Sequence, residues 1–260
     1  MDSDSRQDDI LALLEAQPQV DVPQLARRFG VSSQTIRNDL RVLADRGLVT
    51  RTHGGARRAV YAANEAYTER RTRKAREKEA MGRLAASLIP ENCSVTLNIG
   101  TSTEQVAQAL KGHAGLVVVS NNINIINAMM GSRARELILV GGTVRQSDGA
   151  IVGGDAVDFI SRYKVDFAVI GASALDADGA VLDHDAREVA VARAILQNAR
   201  TKVLVSDGSK FEHRAPVRIC EVADLDYVIT DTPPPAEFLD AARRGDTEIL
   251  TLETSGDPAE

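Results

Sequence analysis

The sequence has little of what membrane-spanning and secreted proteins need. No apolar run approaches the roughly 18 uninterrupted residues of a membrane-spanning helix. The amino-terminal segment MDSDSRQDD is too acidic and polar for a secretory signal. The only two cysteines, Cys93 and Cys220, each lie in an apolar stretch, which fits reduced, buried thiols better than a disulfide framework. We therefore expect a cytoplasmic protein.

The sequence also lacks the common signatures of catalysis. Its four histidines include no two at the spacing of zinc ligands. The segment GTSTE has neither the G-x-G-x-x-G spacing of a dinucleotide site nor the GK[ST] ending of a P-loop, and no Ser-His-Asp or Cys-His arrangement can be identified. The acidic stretch from Asp183 to Glu188 offers possible metal ligands, but a structural or ligand-loop role is the better interpretation. We expect no metal and no cofactor.

What the sequence does contain is an uneven distribution of charge. The whole chain has a formal net charge of −6, with 43% hydrophobic and 26% charged residues. Residues 22–58 hold eight arginines and two acids, a net charge of +6, whereas residues 81–260 have a net charge of −9. A basic module joined to an acidic body indicates one part that binds a polyanion and a remainder kept away from it.

The basic module has the pattern of a helix-turn-helix. Apolar stripes predict helices in RQDDILALLEAQ and VPQLARRF, and Gly30 supplies a tight turn. Ser32 can cap a third helix with Ile36 and Leu40 facing inward. The outward residues of this helix are Gln34, Thr35, Arg37, Asn38 and Arg41. LVTRTHGGA then predicts a hairpin wing. A small helical bundle with a solvated basic face is the alternative, but charge on the third helix and the wing favours DNA binding.

The rest of the chain alternates strand and helix patterns. Short Val/Ile/Leu runs separated by helical segments predict a mostly parallel α/β sheet with helices on both faces. We divide the chain into a winged helix-turn-helix domain at 1–58, a polar linker at 59–74, an effector-binding domain at 75–251 and a disordered tail at 252–260.

Polar residues cluster where the predicted strands end. Ligands of open α/β sheets bind outside the carboxyl ends of the strands, and backbone N–H groups at a helix N-terminus can hold a phosphate. Such a junction often serves only as a turn and cap, but several polar strand ends favour a site. The expected effector site comprises Gly100, Thr101, Ser102, Thr103, Asn121, Asn122, Gly141, Gly142, Asp183, Glu188 and Lys210.

These motifs resemble a known family. The stretch from Arg6 to Ala56, with VPQLARRFGVSSQTIRNDL and RTHGGA, resembles the DNA-binding domain of the DeoR family of bacterial transcription repressors. The stretch from EKEAMGRLAASLI to DYVITD resembles that family's sugar-phosphate-sensing domain, which is similar in fold to ribose-5-phosphate isomerase. Together they cover nearly the whole chain. The family usually has two arginines before the aspartate of the recognition helix, and here the second is Asn38.

The resemblance implies a repressor of a carbohydrate or glycerol catabolic operon that a small phosphorylated metabolite releases from its operator. VSNNINIINAMM and LDHDAREVAVARAI are most similar to family members that respond to glycerol 3-phosphate. A homodimer or homotetramer is expected, because paired recognition helices bind pseudo-palindromic half-sites. The residues expected to contact double-stranded DNA are Ser32, Ser33, Gln34, Thr35, Arg37, Asn38, Arg41, Arg51, Thr52 and His53.

An enzyme is the main alternative. The related isomerases carry two catalytic aspartates in a D-G-A-D segment, and the matching segment here runs from Ile170 to Ser173 without either one. Glu188 and Lys210 persist, but isomerisation needs a positioned base. We therefore expect binding without turnover and no catalytic residues. An active sugar-phosphate isomerase or deaminase with an accessory DNA-binding domain remains the competitor, and an activator or a structural nucleic-acid binder is a third possibility.

Overall fold

The protein is described here by a computed structural model that covers residues 3–17, 19–45, 48–52, 54–58 and 67–252. The chain divides into two compact units, residues 1–65 and 66–260. His53, residues 59–66 of the predicted linker and all of the predicted tail except Leu252 lie outside the described residues.

The first unit is a helix-turn-helix followed by a hairpin, as predicted. Its elements are α1 (Ser3–Ala16), β1 (Gln19–Asp21), α2 (Val22–Phe29), α3 (Ser33–Asp45), β2 (Val49–Thr52) and β3 (Gly55–Arg58). Gly30 ends α2 in the left-handed conformation, at φ 65°. Strand β1 was not predicted: it pairs antiparallel with β3 and makes the wing three-stranded. The approach is close, because a Cβ on Gly55 would lie 2.0 Å from the Val20 carbonyl oxygen.

The core of this unit joins all three helices to the wing. Ile10 of α1, Leu25 of α2 and Ile36 of α3 are fully buried in one cluster, which Val20 and Ala56 of the wing complete. The spacing of these residues along each helix is the amphipathic period seen in the sequence. Burial of one face of α3 leaves its opposite face exposed.

A buried ion pair fixes α1 against α3. The guanidinium of Arg6 donates to the carboxylate of Asp39 from Nε (2.7 Å to Oδ2) and from Nη2 (3.2 Å to Oδ1). Gln7 Nε2 adds a third hydrogen bond, 3.4 Å from Oδ1. Both charged side chains are less than 10% exposed. Asp39 therefore faces the interior of the unit, although its neighbours Arg37 and Asn38 face solvent.

The second unit is built on a seven-stranded parallel sheet, and the prediction of a mostly parallel α/β sheet is confirmed. The order is β13-β12-β10-β7-β4-β5-β6, and each neighbouring pair is parallel. The strands are β4 (Ser94–Leu97), β5 (Val117–Ser120), β6 (Glu136–Leu139), β7 (Val165–Ile170), β10 (Ala199–Val205), β12 (Tyr227–Thr230) and β13 (Glu248–Thr251). A small antiparallel sheet in the order β11-β9-β8 was not predicted; it consists of β8 (Ala174–Leu175), β9 (Ala180–Asp183) and β11 (Val217–Glu221).

Helices cover both faces of this sheet. They are α4 (Tyr67–Thr72), α5 (Ala75–Ser87), α6 (Thr101–Ala109), α7 (Ile123–Met129), α8 (Gly154–Ile160), α9 (Ala186–Gln197) and α10 (Ala236–Arg243). One apolar cluster joins the sheet to α5, α6 and α7, and another joins it to α8, α9 and α10. Successive residues of β7 divide between the clusters, since Val169 lies in one and Ile170 in the other. Helix α4 lies within the segment expected to be a linker.

Helices α5 and α6 approach each other at a glycine. A Cβ on Gly82 would lie 2.7 Å from the backbone carbon of Gln105, so only glycine allows this separation. The contact holds the amino-terminal part of the unit against the helix that follows β4.

The strand order reverses at the centre of the sheet. From β4 the chain passes to β5 and β6 on one side, and later to β7, β10, β12 and β13 on the other. The switch point therefore lies between β4 and β7, where connections leave the sheet in opposite directions and open a crevice at the carboxyl ends.

None of the described helices has the length and hydropathy needed to cross a membrane.

The ion pair between α1 and α3 gives a stability prediction. Asp39→Ala removes the carboxylate that faces the buried Arg6 guanidinium, and breaking such a pair costs about 3–5 kcal/mol. We expect this variant to lower the unfolding free energy of the first unit by that order, measured by urea denaturation followed by circular dichroism. Asp21→Ala is the control, because Asp21 is exposed and its side chain makes no capping bond to α2. Equal stability of the two variants would show that the pair has no such role.

Candidate functional sites

The exposed face of α3 carries the predicted DNA-binding side chains. Gln34, Arg37, Asn38 and Arg41 are exposed, and Thr35 is half-buried. Gln34 Nε2 lies 3.4 Å from Asn38 Oδ1, a hydrogen bond along the helix surface. Two guanidinium groups and two carboxamides on one face can form bidentate hydrogen bonds with base edges and can contact phosphates.

The start of α3 is fixed by Ser32. The Ser32 hydroxyl accepts a hydrogen bond from the Thr35 backbone N–H at 3.0 Å, as predicted for an N-cap. The two hydroxyl groups also lie 2.9 Å apart. The hydroxyl groups of Ser32 and Thr35 therefore already take part in hydrogen bonds at the start of α3. Ser33, which is half-buried, is the first residue of the helix.

The wing presents a further cation. Arg51 on β2 is exposed, but the hydroxyl of Thr52 is buried and has no hydrogen-bond partner among the described residues. The third predicted wing contact, His53, is outside the described residues. Of the wing residues predicted to contact DNA, Arg51 is thus the one that the described part of the chain shows as exposed.

A cavity opens in the second unit at the carboxyl ends of the strands. Four strand ends meet there: Asn98 to Ser102 after β4, Asn122 after β5, Gly171 to Ser173 after β7, and Lys210 after β10. The remaining lining residues are Tyr67, Arg70, Lys78, Asp148, Asp183, Glu188, Ala192 and Ile219. The structure therefore brings together seven of the predicted effector-site residues, namely Gly100, Thr101, Ser102, Asn122, Asp183, Glu188 and Lys210.

The amino terminus of α6 faces this cavity. Gly100 precedes the helix with a φ of 139°, a region that favours glycine. Thr101 and Ser102 begin the helix and line the cavity. The first backbone N–H groups of a helix have no acceptor within it, and the helix dipole places partial positive charge there. This end of α6 can accept an anion.

Four predicted effector-site residues do not line the cavity. Thr103 is fully buried and its hydroxyl donates to the Gly100 carbonyl oxygen at 2.8 Å. Asn121 donates from Nδ2 to the Ile151 carbonyl oxygen at 3.1 Å. Gly141 and Gly142 are exposed in the loop after β6. Thr103 and Asn121 instead make hydrogen bonds to the backbone of neighbouring loops.

Several lining residues were not predicted. Tyr67 and Arg70 come from α4, Lys78 from α5 and Asn98 from the end of β4. The three from α4 and α5 lie in a highly charged stretch of sequence with no pattern that separates cavity residues from surface residues. Asn98 stands directly after a buried strand, and a polar residue at that position is a sequence signal that could have identified it as a lining residue. Together with Lys210, Arg70 and Lys78 give the cavity three cationic side chains.

The loop after β6 is tied to α9 by Arg145. Its guanidinium contacts Asp148 in its own loop, with Nε 2.8 Å from Oδ1, and also Glu188 and Asp185 at the start of α9. Burial, with a smaller effect of Asp183, raises the pKa of Glu188 to about 7, and Arg145 opposes this shift. Glu188 thus lines the cavity with a carboxyl group already held by a cation.

Helix α4 is attached to the cavity wall through Tyr67. The Tyr67 hydroxyl donates to the buried carboxylate of Glu104 on α6, 2.7 Å from Oε1. It also accepts from Asn124 Nδ2 at 3.0 Å. Burial and the bond to Glu104 raise the pKa of Tyr67 to about 12, so the phenol keeps its proton at neutral pH. Asn124 Nδ2 also lies 3.0 Å from the Asp148 carbonyl oxygen, which continues the network into the loop held by Arg145.

The loop that carries Lys210 is positioned by a second network. Lys74 Nζ lies 2.7 Å from Asp231 Oδ2, and Asp231 Oδ1 accepts from the Gly208 backbone N–H at 2.7 Å. The hydrogen bond to Asp231 raises the pKa of Lys74. Asp207 caps the same loop by accepting from the Ser209 N–H. These contacts fix the turn on which Lys210 reaches the cavity.

The acidic stretch before α9 does not assemble a metal centre. Among the described residues, no group of three or more His, Cys, Asp and Glu side chains has the arrangement of a metal site. Asp185 instead caps α9 by accepting from the Arg187 N–H. Burial lowers the pKa of His184, so this imidazole is neutral near the cavity at physiological pH.

Comparison with known proteins identifies relatives of both units. Residues 6–60 match the DeoR-like helix-turn-helix domain, and residues 73–232 match the DeoR C terminal sensor domain. The chain is 39% identical to the glycerol-3-phosphate regulon repressor of Escherichia coli (strain K12), over 92% of this chain and 95% of that protein. It is 39% identical to the Haemophilus influenzae protein of the same name, over 88% and 89% of the two chains.

A third relative is the HTH-type transcriptional repressor CsqR of Escherichia coli (strain K12), which is 33% identical over 94% of both chains. Among solved structures, a D-ribose-5-phosphate isomerase in complex with phospho-erythronic acid is 16% identical, with a TM-score of 0.38 over 51% of this chain and 52% of that one.

Proposed function

Because this chain belongs to the DeoR family of transcriptional regulators, we propose that it represses a glycerol or carbohydrate catabolic operon and that glycerol 3-phosphate releases it from its operator. The observation that supports the proposal most directly is the pairing of an exposed cationic face on α3 with an anion-binding cavity in a separate unit. The names of the most similar relatives support glycerol 3-phosphate as the effector.

On the DNA side, α3 acts as the recognition helix in the major groove. Arg37, Asn38 and Arg41 contact base edges and phosphates, and Arg51 of the wing contacts the backbone. The exposure of these four side chains supports this assignment. The protein acts as a homodimer or homotetramer, so that two recognition helices meet the half-sites of a pseudo-palindromic operator.

The recognition face gives a binding prediction. Arg37→Ala removes an exposed guanidinium from α3, and loss of one bidentate base contact costs about 1–3 kcal/mol. We expect operator affinity to fall by roughly five- to 150-fold at fixed salt, measured by fluorescence anisotropy with labelled duplex, while effector affinity is unchanged. Arg83→Ala is the control, because Arg83 is an exposed arginine of α5 paired with Glu79. Equal operator affinity in wild type and Arg37→Ala would refute the assignment of α3.

On the effector side, the phosphate lies at the start of α6 and the organic part lies among the polar strand ends. The N-terminus of α6 and the cations Arg70, Lys78 and Lys210 favour a dianion. The same lining contains carboxylates and carboxamides, among them Asp183, Glu188 and Asn122, which can accept hydrogen bonds from hydroxyl groups. A lining with both cations and acceptors supports a phosphorylated polyol over a simple anion.

The cationic lining gives an induction prediction. Lys210→Ala removes one charge near the phosphate, so we expect effector affinity to fall at least about tenfold, given that hydrogen bonds to charged groups contribute roughly 1.5–3 kcal/mol. The variant should stay on operator DNA at glycerol 3-phosphate concentrations that release the wild type. Gel shift with and without ligand measures this. Lys111→Ala, an exposed lysine beyond the far end of α6, should behave as wild type. A release curve of Lys210→Ala identical to wild type contradicts the site.

We also propose that this cavity binds without turnover. The stretch from Gly171 to Ser173 lines the cavity and contains no carboxylate. Of the other lining carboxylates, Asp148 and Glu188 are ion-paired with Arg145, and Asp183 accepts a hydrogen bond from the His184 backbone N–H. Proton abstraction from carbon needs a positioned base with access to the substrate. The lining therefore supports a sensor.

Coupling between effector and DNA passes through α4. This helix is the first described element after the DNA-binding unit, and its residues Tyr67 and Arg70 line the effector cavity. A ligand that contacts α4 favours its docked arrangement, in which Tyr67 bonds Glu104 and Asn124. By linkage, the operator and the effector must weaken each other by the same factor.

Removal of one oxygen atom tests this coupling. Tyr67→Phe keeps the ring and deletes the hydrogen bonds of α4 to Glu104 and Asn124. We expect the coupling factor, the ratio of operator affinities without and with saturating effector, to fall several-fold, while operator affinity without effector is retained. Isothermal titration of effector with and without operator must show the same reduced factor. Tyr163→Phe is the matched control, since Tyr163 stacks on Phe159 away from the cavity. An unaltered factor in Tyr67→Phe eliminates α4 as the coupling element.

A further inference from the structure

A row of buried polar atoms lies along the carboxyl edge of the large sheet without hydrogen-bond partners. Among the described residues, six buried side-chain atoms have none, and four of these belong to strand ends. They are Asn98 Oδ1 after β4, Asn121 Oδ1 after β5, Ser206 Oγ after β10 and Thr230 Oγ1 at the end of β12. A buried polar atom without a partner is unfavourable, so each needs an explanation.

Asn98 differs from the other three because it lines the effector cavity. The residue is only 5% exposed, and its backbone N–H donates to the Val169 carbonyl oxygen of β7 at 2.9 Å. Asn98 is thereby fixed at the switch point between β4 and β7. It stands two residues before Gly100, beside the anion-binding start of α6.

The chemistry of the unpartnered atom limits what it can meet. A carboxamide oxygen accepts hydrogen bonds and donates none. A phosphate dianion also offers only acceptors, so it is not the partner of Asn98 Oδ1. A hydroxyl group is a donor, and a phosphorylated polyol carries hydroxyls close to its phosphate.

We propose that Asn98 is a specificity residue of the effector site, where its carboxamide oxygen accepts a hydrogen bond from a hydroxyl of a phosphorylated polyol. This rests on the proposed function, because it assumes that the phosphate of the effector occupies the start of α6. A ligand that has the phosphate but no hydroxyl leaves Asn98 Oδ1 buried and unpaired. The site therefore disfavours deoxy analogues for two reasons. The hydrogen bond to the hydroxyl is lost, and Asn98 Oδ1 stays buried without any partner.

The test compares two phosphate esters on the full-length protein. Affinities for glycerol 3-phosphate, propyl phosphate and inorganic phosphate are measured by isothermal titration on wild type and on Asn98→Leu. We expect the wild type to prefer glycerol 3-phosphate over propyl phosphate, and Asn98→Leu to reduce that preference on the order of tenfold to hundredfold. The affinity of Asn98→Leu for inorganic phosphate should stay within about twofold of wild type, because the proposed contact of this side chain is with a hydroxyl and not with the phosphate.

Two further variants separate the proposed role from a structural one. Asn98→Asp keeps an acceptor at the same position, so it should retain the preference for the hydroxylated ester while like-charge repulsion weakens both esters; loss of the preference in this variant contradicts the proposal. Ser206→Ala removes another buried, unpartnered strand-end hydroxyl, one that does not line the cavity. Its ester preference should equal that of wild type. If Asn98→Leu does not fold, as judged by thermal melting, Asn98→Ala takes its place in the same comparison, with the same expected loss of preference.

The other outcomes each overturn the inference in a recognisable way. An unchanged preference in Asn98→Leu removes its role in reading a hydroxyl. A parallel loss of inorganic phosphate affinity assigns the carboxamide to the phosphate instead. If the wild type binds both esters equally and both release operator DNA, the inference fails and the proposed function stands. If neither ester binds, the proposed effector class fails first and the inference fails with it.

Discussion

All seven strands of the large sheet run in one direction, and this constraint determines where the second unit can bind a ligand. Parallel strands place every carboxyl end at one edge, and the reversal of order between β4 and β7 leaves a crevice there that connecting loops do not fill. The polar residues after β4, β5, β7 and β10 therefore converge, although more than a hundred positions separate Asn98 from Lys210 in the chain. The cavity, the amino terminus of α6 and the position of Lys210 all depend on this shared direction.

A single arginine then determines the chemical character of the crevice. Arg145 contacts Asp148, Asp185 and Glu188, and so offsets part of the negative charge that these acids bring to this side of the crevice. Two effects act on the pKa of Glu188 in opposite directions: burial raises it and favours the protonated form, whereas Arg145 lowers it. The same loop receives Asn124, which connects it to Tyr67 and α4.

Much of this architecture could be predicted from local sequence signals, and the parts that could not are tertiary. The stripe of Ile36, Leu40 and Leu43 specifies α3 and its inner face, because helical period and burial coincide there. The start of α6 was also predictable, since a glycine followed by hydroxyl residues after a buried strand is a local pattern. By contrast, the small antiparallel sheet is completed by β11, which pairs with β9 although α9 and β10 lie between them in the chain. Arg70, Lys78 and Arg145 looked like ordinary surface charges, because only the folded chain places them at the cavity or in contact with Glu188.

The inward orientation of Asp39 has a consequence for how such proteins diversify. Adjacent positions on α3 serve different purposes: Asp39 holds the scaffold through Arg6, whereas Arg37, Asn38 and Arg41 are exposed. Exposed side chains without structural contacts can usually be exchanged within about 0.5 kcal/mol of the original stability. After gene duplication, the outward residues of a copy can therefore change, while the inherited ion pair keeps α3 in the same place against α1.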